Sequence, residues 1–328
     1  MKYIQNNPKH NVEAMLQGYF FERKQFINYD SKYRIIHRNN KSQVALISGG
    51  GSGHEPAHFG YVGDGMLTAS VNGAVFVPPS AEAILEAIKK TDAGKGVLLI
   101  VKNFASDIAV FSQAKKEAEQ IGHIVEMIIV TDDHSIENDI SYKKRHRGVA
   151  GTILVHKIVG SYAKEGVALA DLKIIGNNVI DNLYTLGVAL TPARLPGNET
   201  PSYTLDDDEV YFGVGIHGEE GYRKEPYISS EQLAIELINK LRRLNNWVPY
   251  EKYALLVNGL GSTPLMEQYV FANDLRRLFN MEQLDISFVK VGTHLTSYNM
   301  QGISLTLLKI VDQQWIEALN QPTDASHW

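Results

Sequence analysis

Short apolar runs alternate with segments of helical period along most of this chain, and that alternation marks strands and helices laid down in turn. It implies an α/β fold with mainly parallel or mixed sheets flanked by helices. Val44 to Ser48 reads as a strand. Ser80 offers a side-chain cap to a helix through Ile84, Leu85 and Ile88, which ends near Thr91-Asp92-Ala93-Gly94 before the strand Val97 to Val101. The unit then repeats. A helix from about Asp107, with Val110, Phe111, Ala114, Ala118 and Ile121 on one face, stops at Gly122 and precedes the strand Ile124 to Val130.

Further along, 151–164 and 170–186 have helical patterning. Pro192, Pro196, Gly197 and Pro201 then cluster and predict a domain boundary. Two α/β domains follow from that reading, residues 1–190 and 191–328, in keeping with a length of 328. In the second, Val210, Phe212, Val214 and Ile216 alternate as in a strand, and Ser229-Ser230-Glu231-Gln232 caps a helix carrying Leu233, Leu237, Leu241 and Leu244. Strands are expected at 253–257, 286–291 and 304–310.

Composition narrows the chemistry. Asp and Glu outnumber Lys and Arg by 37 to 32, a net charge of -5, so no basic excess exists to neutralise a nucleic-acid backbone. There is no cysteine, which removes disulfides, thiolate nucleophiles and thiolate metal sites. The start of the chain lacks the apolar core of a secretory signal and no apolar run is long enough to span a bilayer, so a cytoplasmic location with no membrane partner is expected.

Three loops carry the chemistry. Ser48-Gly49-Gly50-Gly51-Ser52-Gly53-His54-Glu55-Pro56-Ala57-His58 follows a strand but fits no nucleotide fingerprint, because the final glycine or the Gly-Lys-Ser/Thr is missing. Its glycines permit close approach of a ligand to backbone N–H groups, or simply a tight turn. His54 to His58 matches the zinc pattern His-Glu-x-x-His, yet Pro56 would leave His54 outside any helix, so no metal site is assigned. Lys102-Asn103-Phe104-Ala105-Ser106-Asp107 also leaves a strand at its carboxyl end, where ligands bind in open sheets. Lys102 and Asp107 can serve as anchor and general base; the plainer role for Asp107 is a helix cap. In Gly213-Val214-Gly215-Ile216-His217-Gly218-Glu219-Glu220-Gly221, flanking glycines leave His217 approachable, and without cysteine it is a leading candidate nucleophile. The acidic run Asp206 to Glu209 and the basic run Lys143 to Arg147 read as solvated patches.

The glycine loop with His54 and His58, Gly65-Met66-Leu67, Val101-Lys102-Asn103, Arg147-Gly148-Val149-Ala150-Gly151-Thr152, Gly215-Ile216-His217-Gly218-Glu219 and Leu256-Val257-Asn258-Gly259-Leu260-Gly261 closely resemble the dihydroxyacetone kinase family, specifically its substrate-binding subunit. The resemblance spans nearly the whole chain. It implies a homodimer of two-domain chains and dihydroxyacetone held as a covalent hemiaminal on His217. It also implies substrate contacts from Gly51, Ser52, Gly53, His54, Lys102 and Asp107, with His54 polarising the triose and Asp107 accepting a proton from its hydroxyl. No nucleotide cofactor is expected, since in the bacterial family a separate ADP-bearing subunit supplies the phosphoryl group.

Three departures stand out. Glu220 replaces a family proline beside the nucleophile, Thr293 replaces an asparagine, and Gln301 stands where a small residue is usual. Intact binding residues in altered surroundings fit the family's regulatory paralogue, a co-activator of a DNA-binding transcription regulator. The alternative is the kinase's own substrate-binding subunit.

Overall fold

A computed structural model describes residues 2–39, 43–136, 146–197 and 200–328. The chain forms two compact units, each built on a six-stranded mixed sheet. Unit 1 holds Met1–Val130, Thr152–Ile180 and Ala318–Trp328, and unit 2 holds Thr131–Gly151 and Asp181–Glu317.

Unit 1 opens with α1 (Asn11–Arg23), β1 (Asn28–Asp30) and β2 (Ile35–His37). It continues through β3 (Ala45–Ser52), β4 (Ala69–Val75), α2 (Ala81–Thr91), β5 (Val97–Lys102), α3 (Ala105–Gln120) and β6 (Val125–Val130), and adds α4 (Thr152–Lys164) and α5 (Leu169–Asp181). Its sheet runs β1-β2-β4-β3-β5-β6, with β4, β3, β5 and β6 parallel. β5 is buried along its whole length, as a strand covered by helices on both faces must be. Ile84, Ala87 and Ile88 of α2 and Phe111, Ala114 and Ala118 of α3 pack on it in one core. Ser80 accepts the Ala83 N–H at 3.2 Å, so the expected cap is present.

Unit 2 contains β7 (Leu183–Ala189), β8 (Glu209–Phe212), β9 (Arg223–Pro226), α6 (Ser230–Asn245), β10 (Lys252–Gly259), α7 (Leu265–Met281), β11 (Asp285–Gly292) and β12 (Gly302–Lys309); α8 (Gln314–Asn320) follows. The order is β11-β10-β12-β7-β8-β9, and only β10 with β11 is parallel. Ser229 caps α6 through the Gln232 N–H. Leu233, Leu237 and Leu241 of α6 and Phe271, Leu275 and Phe279 of α7 share its core.

Two expectations change. Residues 183–189 are a strand, where helical patterning ran on to 186, because Tyr184, Thr185 and Val188 suit a sheet whose neighbours β12 and β8 are waiting on both sides. That strand also moves the boundary. The proline cluster lies on the β7–β8 connection inside unit 2, since Val188 pairs directly with Phe212, and the chain crosses between units at 130–131, 151–152, 180–181 and 317–318 instead of once at 190. Among the described residues no helix is long and apolar enough to cross a membrane.

Candidate functional site

In unit 1 the glycine run lies within β3, so it is strand backbone up to Ser52 and a turn from Gly53. Gly53 takes φ +99°, and a Cβ there would meet the Phe76 ring at 2.7 Å, so only glycine fits. Its N–H donates to the Glu55 carboxylate at 2.9 and 3.1 Å. Burial raises the Glu55 pKa against the pull of these backbone N–H groups and of Lys102. His54 is fully buried with its ring stacked on Phe76, centroids 5.0 Å apart and planes 14° from parallel. Ser52 donates its hydroxyl to the Gly73 carbonyl at 2.8 Å, which directs that proton into the sheet.

Lys102 closes β5 and Asp107 lies in the first turn of α3, both buried. A Cβ on Gly50 would sit 3.1 Å from Lys102 Nζ and 3.2 Å from Asp107 Oδ1, so the glycine loop, the lysine and the carboxylate converge. Asp107 is not the cap of α3. Phe104 occupies that position, and Asp107 is the third residue of the helix.

The zinc pattern has a different use. Residues 55–58 form a turn and not a helix, so His54 and His58 share no helical face. His58 Nδ1 instead meets His156 Nε2 of α4 at 3.0 Å. Burial first, then the charges of Lys102 and its histidine neighbours, drives the His58 pKa well down; burial and Lys102 take His156 to about 3. Among the described residues no three His, Asp or Glu side chains gather as a metal-ligand set.

In unit 2, β8 stops at Phe212, short of the expected alternation to Ile216, and the chain folds into a loop over 213–222. Gly215 donates its N–H to the Glu219 carbonyl at 2.9 Å and Gly218, at φ +86°, donates to the Gly215 carbonyl at 3.0 Å. This turn returns Glu219 onto His217. The carboxylate accepts from His217 Nδ1 at 2.8 Å and from the His217 backbone N–H at 3.0 Å. Burial alone would raise the Glu219 carboxyl, but the hydrogen bonds and charge of His217 together with backbone N–H groups hold it at about 2. An ionised carboxylate only accepts, so Nδ1 carries a proton whether the ring is charged or neutral, and when it is neutral the lone pair is on Nε2. The ring is 23% exposed.

Arg147 braces the loop from below. It pairs with Asp133 at 2.6 Å and donates to Ser135 Oγ at 2.7 Å and the Gly213 carbonyl at 2.8 Å. A Cβ on Gly215 would fall 1.9 Å from Glu219 Oε2 and 2.5 Å from Arg147 Nη1, so only glycine lets the two charged groups approach. Ser297 donates its hydroxyl to the Ile216 carbonyl at 2.6 Å, tying the 291–297 motif to the same turn. Sequence reading assigned no role to Glu219 or Ser297 and took Arg147 as part of a solvated basic patch, whereas Arg147 and His146 are buried and Arg147 is held by Asp133; the legible signal was a carboxylate two residues past a glycine-flanked histidine.

The departures from the family pattern also lie in unit 2. Glu220 and Thr293 are exposed, and Gln301 reaches Glu267 of α7 at 3.5 Å. Asp206 to Asp208 form an exposed turn before β8. In the basic run, Lys143, Lys144 and Arg145 lie outside the described residues.

The pattern of the Dak1 domain matches residues 17–327. The chain belongs to the Dak1 family. Among curated Dak1 relatives, the DhaKLM operon coactivator DhaQ of Lactococcus lactis is 48% identical over 100% of both chains. The dihydroxyacetone-binding subunit DhaK of the PTS-dependent dihydroxyacetone kinase of the same organism is 45% identical over 99% of this chain and 98% of its own. A solved dihydroxyacetone kinase operon co-activator, DhaQ, superposes with a TM-score of 0.91 at 46% identity, covering 96% of this chain and 98% of that one. The native dihydroxyacetone kinase of C. freundii gives 0.91 at 34% identity, covering 100% of this chain and 60% of the kinase. These Dak1 structures share the pair of mixed, helix-flanked sheets described above.

Proposed function

We propose that this protein captures dihydroxyacetone as a covalent hemiaminal on His217 and acts, without phosphorylating it, as a co-activator of a DNA-binding transcription regulator of dihydroxyacetone kinase genes. The observation that carries the reading is the Glu219–His217 pair, which keeps the proton on Nδ1 and the lone pair on Nε2. Nε2 adds to the ketone carbon of the triose, a C–N bond forms, and the C=O π bond opens to an alkoxide that takes up a proton. The ring gives up its Nδ1 proton toward Glu219, so the net change is addition of N–H across C=O with nothing lost. Glu219 offsets the positive charge that builds on the imidazole during attack. Glycerol has no carbonyl carbon and forms no such bond, so covalency itself is the specificity filter.

In unit 1, Gly51, Ser52, Gly53, His54, Lys102 and Asp107 are proposed as polar contacts to the triose, with the ammonium of Lys102 donating and the carboxylate of Asp107 accepting. We place the protein in the cytoplasm as a homodimer. The co-activator role is supported by the 48% identity to DhaQ over both full chains and by the exposed positions of Glu220 and Thr293, where a change alters docking more than binding. Capture of the triose biases the conformation that the regulator binds, and a coupling of about 1–3 kcal/mol suffices. With a net charge of -5 the chain is proposed to reach DNA only through its partner.

The second reading, the dihydroxyacetone-binding subunit of a PTS-dependent kinase, is favoured by the 45% identity to DhaK. Intact-mass spectrometry tests capture: the protein gains one triose and His217→Ala gains none, whereas an unchanged parent mass sinks both readings. Mixing with the ADP-bearing subunit and its phosphotransferase partners separates them. Rapid triose phosphate formation rejects the co-activator; triose-dependent binding to a helix-turn-helix regulator supports it.

A further inference from the structure

The brace beneath the His217 loop carries a donor that the resting molecule does not use. The Arg147 side chain is only 8% exposed, and its Nε and Nη2 are taken by Asp133, Ser135 and the Gly213 carbonyl. Among the described residues Nη1 has no hydrogen-bond partner, although it is buried. A guanidinium nitrogen can only donate, and a buried donor without a partner calls for an explanation. The point where Gly215 would carry a Cβ lies 2.5 Å from Nη1 and 1.9 Å from Glu219 Oε2. The carboxylate and the unused donor therefore face the same small space, which glycine leaves empty.

The chemistry of capture gives that donor a use. In the resting loop Glu219 accepts from His217 Nδ1 at 2.8 Å and from the His217 backbone N–H at 3.0 Å. When Nε2 has bonded to the ketone carbon and the adduct is neutral, the Nδ1–H bond has broken and an O–H bond has formed on the former carbonyl oxygen. Nδ1 then holds a lone pair and cannot donate. The ionised carboxylate faces it with lone pairs of its own, and losing a donor is costly until another replaces it.

We propose that Arg147 is a positioning residue of the capture reaction: once the hemiaminal forms, Glu219 turns off His217 Nδ1 and closes on Arg147 Nη1. The inference rests on covalent capture at His217 as read above. The backbone N–H of His217 keeps its bond to Oε2 and serves as the pivot. The rest of the guanidinium stays fixed on Asp133, Ser135 and Gly213, so the new charge-assisted bond forms against a rigid partner and holds the adduct.

Nitrogen NMR on the labelled full chain, with and without dihydroxyacetone, tests the proposal, and intact mass on the same samples reports capture. With triose, His217 Nδ1 is expected to move to the range of an unprotonated ring nitrogen, and exchange of the Arg147 Nη1 protons with water to slow at least about tenfold. Arg147→Lys keeps a cation for Asp133 but has no Nη1, and its adduct, chased with isotopically distinct triose, is expected to dissociate about tenfold faster than the parent's. A merely structural role for Arg147 would leave its Nη1 protons indifferent to triose. A mass gain with those protons unchanged, or with Nδ1 still protonated in the adduct, overturns this inference and leaves capture standing. No mass gain overturns the capture reading and this inference with it. The measurement on the parent decides even if Arg147→Lys does not fold.

Discussion

The two polar loops place similar residue types in opposite settings. In unit 1, His54, Lys102 and Asp107 are buried, and the backbone that carries them is strand, turn and helix start. In unit 2, His217 rises on a glycine turn with its ring partly open to solvent and hydrogen-bonded to the Glu219 carboxylate. Buried polar groups are held by everything around them, so their substitution disturbs the fold. A half-buried side chain on a loop is held by a few local bonds, so its substitution leaves the fold standing.

The contrast is most exposed to test at His217. His217→Ala is expected to remove triose uptake completely while the urea midpoint moves by no more than corresponds to about 0.5 kcal/mol. A large loss of stability would place His217 with the structural residues instead. Beneath it the pattern reverses: Arg147→Met strands the buried Asp133 carboxylate and is expected to cost about 3–5 kcal/mol of unfolding free energy, read by urea denaturation.

Glu219→Gln keeps the shape but removes the charge, and stopped reaction with mass detection is expected to show adduct formation about 10–100-fold slower, or about 1.4–2.7 kcal/mol in barrier. Its pH dependence has a definite sign. The folded pKa of about 2 lies below the ordinary glutamate value of 4.5, so the stabilisation is complete above about 4.5 and fades as pH falls toward 2. A parent-minus-variant difference in stability that grows with acid would contradict the pairing.

Asp132 behaves in the opposite way. Burial, only partly countered by bonds from Thr185, Val149 and Gly151, raises it to about 6, so carboxyl carbon resonances are expected to titrate near that value. Its contribution to stability is complete below about 3.8 and lost as pH rises through 6. In the unit 1 loop backbone the expected cost is smaller than at Arg147. Gly53→Ala forces a Cβ into positive φ and is expected to cost about 1–2 kcal/mol before any movement of Phe76 is counted.

Much of the first sheet was legible from order alone. β5, α2 and β6 fell where apolar runs, the Ser80 cap and Gly122 put them, because a strand buried on both faces has little choice of residue. The second sheet was less legible. β7 hides in a helix-like pattern, and the prolines after it mark a loop within a unit, since a sheet neighbour outweighs local propensity. The candidate residues themselves were read from the chain. Their relations were not: Phe104 and not Asp107 holds the cap position of α3, and His58 lies against His156 of α4.

The sequence by itself determined the class of fold, the absence of thiol chemistry, the three loops and the family, because each depends on residue type and spacing along one chain. Tertiary structure alone decided where the units divide, that the unit 1 cluster is buried, and that Glu219 fixes the proton of His217 while Arg147 braces the turn. Those are matters of distance in space, set by how a local turn closes and by which segments far apart in the chain meet. Hydrogen bonds and desolvation act over a few ångströms of space, and no pattern along the sequence measures that.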